Sequence, residues 1–131
     1  AKRARNLARE LEVPVVILEK IRPTNSPDSE VVSIIGDVEG KHAVIYDDIV
    51  ATGNTLLNAV KELKQRGAVS VQVCVSHSIF SNHSSDRIKN SEVDRFLTTD
   101  SILIEPDKLN KKIAQVSIAP LIAKEILTLQ V

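Results

Sequence analysis

Apolar residues recur along this chain in two periods, and the switches between them mark out its elements. Ala4, Leu7, Ala8 and Leu11 fall at i, i+3, i+4 and i+7, so residues 2–12 are predicted to form an amphipathic helix. Its Lys and Arg residues read as a solvated face. Residues 13–18 are a short apolar run rich in β-branched side chains, expected as a buried strand. Residues 19–30, EKIRPTNSPDSE, carry two prolines and no periodicity. They are expected to form a long loop of the kind that is usually functional or disordered.

Residues 31–35 predict a second strand, and 36–41 (GDVEGK) a turn with glycine near each end. Residues 43–46 predict a buried strand. Over 53–66 a helix is expected, because Leu56, Val60 and Leu63 share one face and Gly67 suits the position just past the last turn. Residues 69–76 form the next strand, with Cys74 as a core thiol. A short helix over 84–90 would be capped by Ser84 or Ser85. Strands over 93–98 and 113–118 follow. Pro120 then opens a last helix in which Ile122, Ile126 and Leu129 line up. Helices alternating with apolar strands predict an α/β fold, a three-layer, mostly parallel sheet with helices on both faces. Ligands of such sheets sit beyond the carboxyl ends of the strands, the edge where Asp47, Asp48 and His77 fall.

Composition narrows the classes. A chain of 131 residues suits one domain spanning 1–131, and 43% hydrophobic with 2% aromatic residues demands an aliphatic core. Lys+Arg and Asp+Glu balance at 17 each, so no global charge points to nucleic acid or an anionic membrane. One cysteine excludes an internal disulfide. No stretch reads as a signal peptide or approaches the roughly 18 apolar residues of a membrane span, and a cytoplasmic location is expected. The sequence opens at Ala1 in mid-helix pattern, which is expected of a piece of a longer chain.

The candidate chemistry lies in V-I-Y-D-D-I-V-A-T-G-N-T-L, residues 44–56. A loop entering a helix N-terminus presents unpaired backbone N–H groups and roughly half a positive charge. Gly53 admits close approach, Asn54 tolerates a left-handed backbone, and Thr52 and Thr55 add hydroxyls. Thr52-Gly53-Asn54-Thr55 is thus either a phosphate cup or an ordinary helix start. Asp47 and Asp48 can accept hydrogen bonds from vicinal hydroxyls or contact Mg²⁺, and otherwise are surface acids. Together, acids followed by a cup fit a sugar phosphate. Lys20 and Arg22, at the start of the long loop, can close over a transferring phosphoryl group, or are solvated loop charges. His77, Ser78 and Ser81 suggest a polar wall without a nucleophilic triad. The three histidines and one cysteine have no zinc spacing, and no Walker-type phosphate loop occurs.

D-D-I-V-A-T-G-N-T resembles the phosphoribosyl pyrophosphate-binding motif of type I phosphoribosyltransferase folds. K-R-A-R-N-L-A, E-K-I-R, I-I-G-D-V-E-G-K, S-H-S-I-F-S and V-S-I-A-P-L-I-A-K-E-I narrow the resemblance to ribose-phosphate pyrophosphokinases, over nearly the whole chain. The resemblance implies transfer of the β,γ-diphosphoryl group of ATP to the 1-hydroxyl of ribose 5-phosphate, with Mg²⁺, releasing AMP. It makes Lys20 and Arg22 the catalytic loop cations, with Arg22 also on the ribose 5-phosphate. It puts Asp47 and Asp48 on the ribose hydroxyls, and Ala51, Thr52, Gly53, Asn54 and Thr55 around the 5-phosphate. No metal ligand is assigned beyond Asp47 and Asp48 as candidates. Ala51 stands where many members have an acid, Asn54 where glycine is usual, and Ile21 at an often basic position.

The same resemblance implies a two-domain parent of which this chain is the C-terminal half. The other half would supply much of the ATP site and a metal-binding His, so the chain is expected to be inactive alone. A homo-oligomer is expected for the parent. Two other readings stand beside it. A type I phosphoribosyltransferase would share acids and cup but needs a base-recognition element. A non-catalytic synthetase-associated regulatory subunit would fit Ala51 and Asn54.

Overall fold

In the computed structural model, residues 2–21 and 31–129 are described. Two sheets organise them. The larger contains four parallel strands in the order β3 (His42–Val50), β4 (Ser70–Ser78), β5 (Arg95–Thr99) and β6 (Ile113–Val116). The smaller is an antiparallel pair, β1 (Ile17–Ile21) with β2 (Val31–Ile35). The helices are α1 (Lys2–Glu10), α2 (Asn54–Gln65), α3 (Ser84–Lys89) and α4 (Ala119–Thr128). A single 3₁₀ turn, Pro106–Lys108, sits before β6. The expected α/β class with a mostly parallel sheet and flanking helices is what the chain forms.

The strand period of two decides which side of β4 is core. Val71, Val73 and Val75 are buried while Gln72 is exposed and Cys74 and Ser76 are half-buried. Leu56, Val60 and Leu63 of α2 join that core along one helical face, as their spacing predicts. Phe96 of β5 is fully buried and meets Phe80 in a tilted pair with ring centroids 5.5 Å apart. Two aromatics thus anchor an otherwise aliphatic interior.

Helix α2 stops as its sequence requires. Gly67 takes φ +87°, a left-handed value that favours glycine. Its N–H donates to Lys64 O and the Ala68 N–H to Leu63 O, the paired bonds of a Schellman ending. The Gly40 N–H donates to Gly67 O, so the turn before β3 is tied to the end of α2.

The first strand departs from expectation. It begins at Ile17 rather than Val13 and is exposed along its whole length instead of buried. Its partner β2 supplies the inward residues, Val32 and Ile34. A short apolar run has the same composition in a core strand and in a hairpin arm, so periodicity alone does not separate them. In consequence Lys20 lies in β1 opposite Val32, not at the start of a loop. Residues 22–30, with Arg22 and most of the expected loop, lie outside the described residues. In the short helix α3, neither serine is the cap. His83 occupies that position, and Ser85 Oγ donates instead to Lys108 O. No described helix is long and apolar enough to cross a membrane.

Where β5 approaches β4, Asp94 accepts hydrogen bonds from the Val71 N–H at 2.6 Å and from Lys64 Nζ at 2.8 Å. The Lys64 hydrogen bond first, then the Val71 amide, holds the Asp94 carboxyl below its ordinary value. A carboxyl depressed in the folded state stabilises the fold above its unfolded pKa. That contribution is lost as pH falls through the folded value. We expect acid unfolding of the wild type to be steeper than that of Asp94→Asn between about pH 5 and pH 2. Urea titrations at several pH values check this, and equal slopes would contradict it.

Candidate functional site

The two acids lie inside β3, which runs on past Tyr46 to Val50 and pairs Asp47 with Val75 and Ile49 with His77. Neighbouring strand residues point to opposite faces, yet β3 is an edge strand of its sheet. Both acids therefore border one shallow cavity of about 310 Å³, with Lys2, Arg3, Ala4 and Tyr46 completing the wall. Arg3 Nη1 donates to Asp48 Oδ2 at 2.5 Å, and this bond is the chief reason the Asp48 carboxyl sits below its ordinary value. The Asp48 N–H donates to Asp47 Oδ1 at 2.9 Å, which fixes the rotamer of the first acid. The Arg3–Asp48 pair is exposed, so its role is to hold a carboxylate in place more than to stabilise the fold.

Beyond Val50 the chain bends through Ala51 and Thr52 to Gly53, the residue before α2. Gly53 has φ +75°, is buried, and would place a Cβ 3.9 Å from Ser84 Cβ. Gly53, at the cap position of α2, has no side chain and makes no side-chain capping bond.

The loop has a definite polarity. The Val50 carbonyl accepts from the Ile79 N–H at 2.9 Å and the Ala51 carbonyl from the Ser81 N–H at 3.1 Å. The Thr52 carbonyl accepts from Arg87 Nη2, and Arg87 Nη1 donates to Asn54 Oδ1. Within a trans peptide, C=O and the following N–H point in opposite directions. Three consecutive carbonyls held from one side thus leave the N–H groups of Ala51, Thr52 and Gly53 turned away from that side. Backbone N–H groups directed outward at a helix start are able to hold an anion.

The segment that grips these carbonyls is itself strained. Phe80, Asn82 and His83 have φ of 50°, 51° and 56°. Left-handed backbone costs a non-glycine residue about 1–2 kcal/mol. Burial of the Phe80 ring, 2% exposed, offsets that strain and pins the turn beneath the loop.

Other expected site residues divide. His77 stands at the carboxyl end of β4 and its Nδ1 bonds Ser101 Oγ at 2.6 Å. Ser78 is not part of a polar wall: it is 2% exposed and bonds Thr98 Oγ1 at 2.7 Å in the core. Burial raises the Cys74 thiol pKa, but the residue is half-buried on the face of β4 away from Val71, Val73 and Val75, not in the expected core position. Lys20 is exposed on β1. The sequence reading passed over Arg3 and Arg87. Arg3 looked like one cation among several on a solvated helix face, and its partner is 45 residues away. Arg87 sits in a two-turn helix without a motif, 35 residues from Thr52.

Asp47 and Asp48 are adjacent hard oxygen donors of the type that hold Mg²⁺ jointly with water and substrate phosphates. Among the described residues no three His, Cys, Asp or Glu side chains gather. The acids fit an ion shared with a substrate rather than one caged by protein.

Comparison with known proteins bears on this geometry. The profile of the phosphoribosyl synthetase-associated domain family matches residues 1–130. A ribose-phosphate pyrophosphokinase of Thermosipho africanus is 42% identical over 125 residues, covering 95% of this chain and 39% of that protein. One from Listeria ivanovii is 40% identical over 124 residues, with 95% and 39% covered. The chain thus spans about two fifths of the length of these relatives. A crystal structure of phosphoribosylpyrophosphate synthetase from Mycobacterium smegmatis superposes with a TM-score of 0.83 at 27% identity, over 98% of this chain and 42% of that one.

Replacing Arg3 should release Asp48. We expect Arg3→Ala to raise the Asp48 carboxyl pKa toward the ordinary aspartate value and to leave Asp94 unmoved. Carboxyl ¹³C NMR titration measures both. An Asp48 titration unchanged by the substitution would show that Arg3 does not hold it.

Proposed function

Because the chain belongs to the phosphoribosyl synthetase-associated domain family, we propose that it is the ribose 5-phosphate-binding part of a ribose-phosphate diphosphokinase. The observation that carries the reading is the loop into α2 at Gly53, with the carbonyls of residues 50–52 held back from one side and the segment following Asp47 and Asp48 in the chain. In this reading the 5-phosphate sits on the backbone of Ala51, Thr52, Gly53, Asn54 and Thr55. The ribose hydroxyls are held by Asp47 and Asp48. Mg²⁺, the cofactor proposed here, would neutralise phosphate charge beside these acids.

The proposed reaction joins the 1-hydroxyl oxygen of ribose 5-phosphate to the β-phosphorus of ATP. The bond from that phosphorus to the oxygen bridging it to the α-phosphate breaks, AMP leaves with that oxygen, and the 1-hydroxyl proton is released to solvent. Such transfers are loose and highly charged, so catalysis is mainly positioning and electrostatic stabilisation. Lys20 and Arg22 are the cations assigned to the transferring phosphates, with Arg22 also near the ribose 5-phosphate. The chain spans 39% of its Thermosipho africanus relative, and in this reading it is the C-terminal half of a two-domain parent, with the ATP site completed elsewhere. A cytoplasmic homo-oligomer is the proposed parent, and the exposed Leu121, Ile122 and Leu127 of α4 favour further burial in an assembly.

Two measurements test the reading. Calorimetric titration of ribose 5-phosphate with Mg²⁺ should show binding that Asp47→Ala loses. Persistence of the same binding in the variant would remove the acid from the site. In the full-length protein, Lys20→Ala should lower the rate of AMP formation about 10²- to 10³-fold. A rate within a factor of about two of wild type, too small for loss of a preorganised charge, would exclude Lys20 from the transfer step.

A further inference from the structure

Arg87 joins two parts of the loop with one planar group. Its Nη2 donates to the Thr52 carbonyl and its Nη1 to the Asn54 side-chain oxygen, so the guanidinium spans both sides of Gly53. Both acceptors are neutral. Among the described residues no carboxylate pairs with Arg87, and its Nε is buried without an acceptor. A half-buried cation beside a set of outward N–H groups adds positive potential at the loop. We propose that Arg87 is the positioning residue of the phosphate loop, locking the Thr52 peptide in its anion-facing orientation through Thr52 O and Asn54 Oδ1. This rests on the reading of residues 51–55 as a phosphate cup.

The geometry explains why an arginine stands here. The Val50 and Ala51 carbonyls are met by backbone N–H groups of residues 79 and 81. At Thr52 the supporting chain has turned into α3, whose backbone N–H groups point along its own axis, as the Arg87 N–H to His83 O shows. A side chain must supply the third donor. A guanidinium presents two donors in one rigid planar fork, whereas a lysine ammonium offers its donors from a single freely rotating nitrogen. Asn54 acquires a role by the same argument. Its amide oxygen is the second tooth of the clamp, so the residue that stands where the resembled family usually has glycine is bound into the loop. Ser84, fully buried below Gly53 with its Oγ unpartnered among the described residues, keeps the floor of the loop small.

The test is steady-state kinetics of the full-length protein with Arg87→Ala, Arg87→Lys, Asn54→Gly and the Arg87→Ala/Asn54→Gly pair. Loss of the clamp should raise KM for ribose 5-phosphate about ten- to a hundredfold, the worth of hydrogen bonds from a charged donor. KM for ATP should stay unchanged. Arg87→Lys should recover less than half of the loss, millimolar guanidinium should partly rescue Arg87→Ala, and the pair should be less than additive, since both changes break one contact. A KM for ribose 5-phosphate like that of wild type overturns the clamp. So does a parallel rise in both KM values with a lowered Tm, the mark of a general structural role. Should the wild type form no AMP, the proposed reaction fails by itself, and amide hydrogen exchange then decides the clamp. Faster exchange at residues 52–54 in Arg87→Ala, with β4 unchanged, supports it; unchanged exchange there overturns it.

Discussion

The parallel pairing of β3 with β4 does not end with the sheet, and the site depends on its continuation. Val50 pairs with Ser78 at the last rung, and the next N–H groups of the β4 side, from Ile79 and Ser81, go on holding the carbonyls of Val50 and Ala51. A ladder normally dissolves at the strand end. Here the left-handed residues 80, 82 and 83 keep the second chain alongside the first for several residues more. Phe80 makes this affordable, since its ring is buried against Phe96 in the centre of the core. The packing of one aromatic pair is thereby linked to the direction of backbone donors at the surface.

Charge is placed with the same economy. The chain is neutral overall, so no broad field draws anions to it. Local cations act instead: Arg3 orients Asp48, and Arg87 stands behind the loop. Within one stretch of chain an acid pair that suits hydroxyls and a shared metal ion is followed by donors that suit phosphate. The cavity beside the acids is lined by the start of α1, not by the loop. The two halves of the proposed ligand would thus rest on separate, rigidly connected surfaces.

What the sequence disclosed follows from which interactions are local. Helix α2 was legible because Leu56, Val60 and Leu63 repeat at helical spacing and Gly67 ends it. The four parallel strands were legible as apolar runs between turns, and residues 44–56 announced an unusual strand-to-helix junction. Long-range pairing left no such trace. Residues 13–18 could not reveal that the strand begins four residues later and lies exposed on β2, and Ser78 gave no sign that it faces inward to Thr98. Arg3 and Arg87 were illegible for the same reason, since each meets its partner across more than thirty residues. The family relationship extended the reading of the acids and the loop, but the grip on the loop carbonyls emerged only from the fold.

The central claim is that the backbone donors of the Thr52–Thr55 loop hold a phosphate. Amide ¹H–¹⁵N NMR of the labelled protein, titrated with ribose 5-phosphate and in parallel with ribose, tests it most directly. The account predicts that ribose 5-phosphate moves the amide protons of residues 52–55 downfield, as hydrogen bonding to an anion does, while ribose leaves them in place. Saturation by ribose 5-phosphate with those four amides unmoved would contradict it.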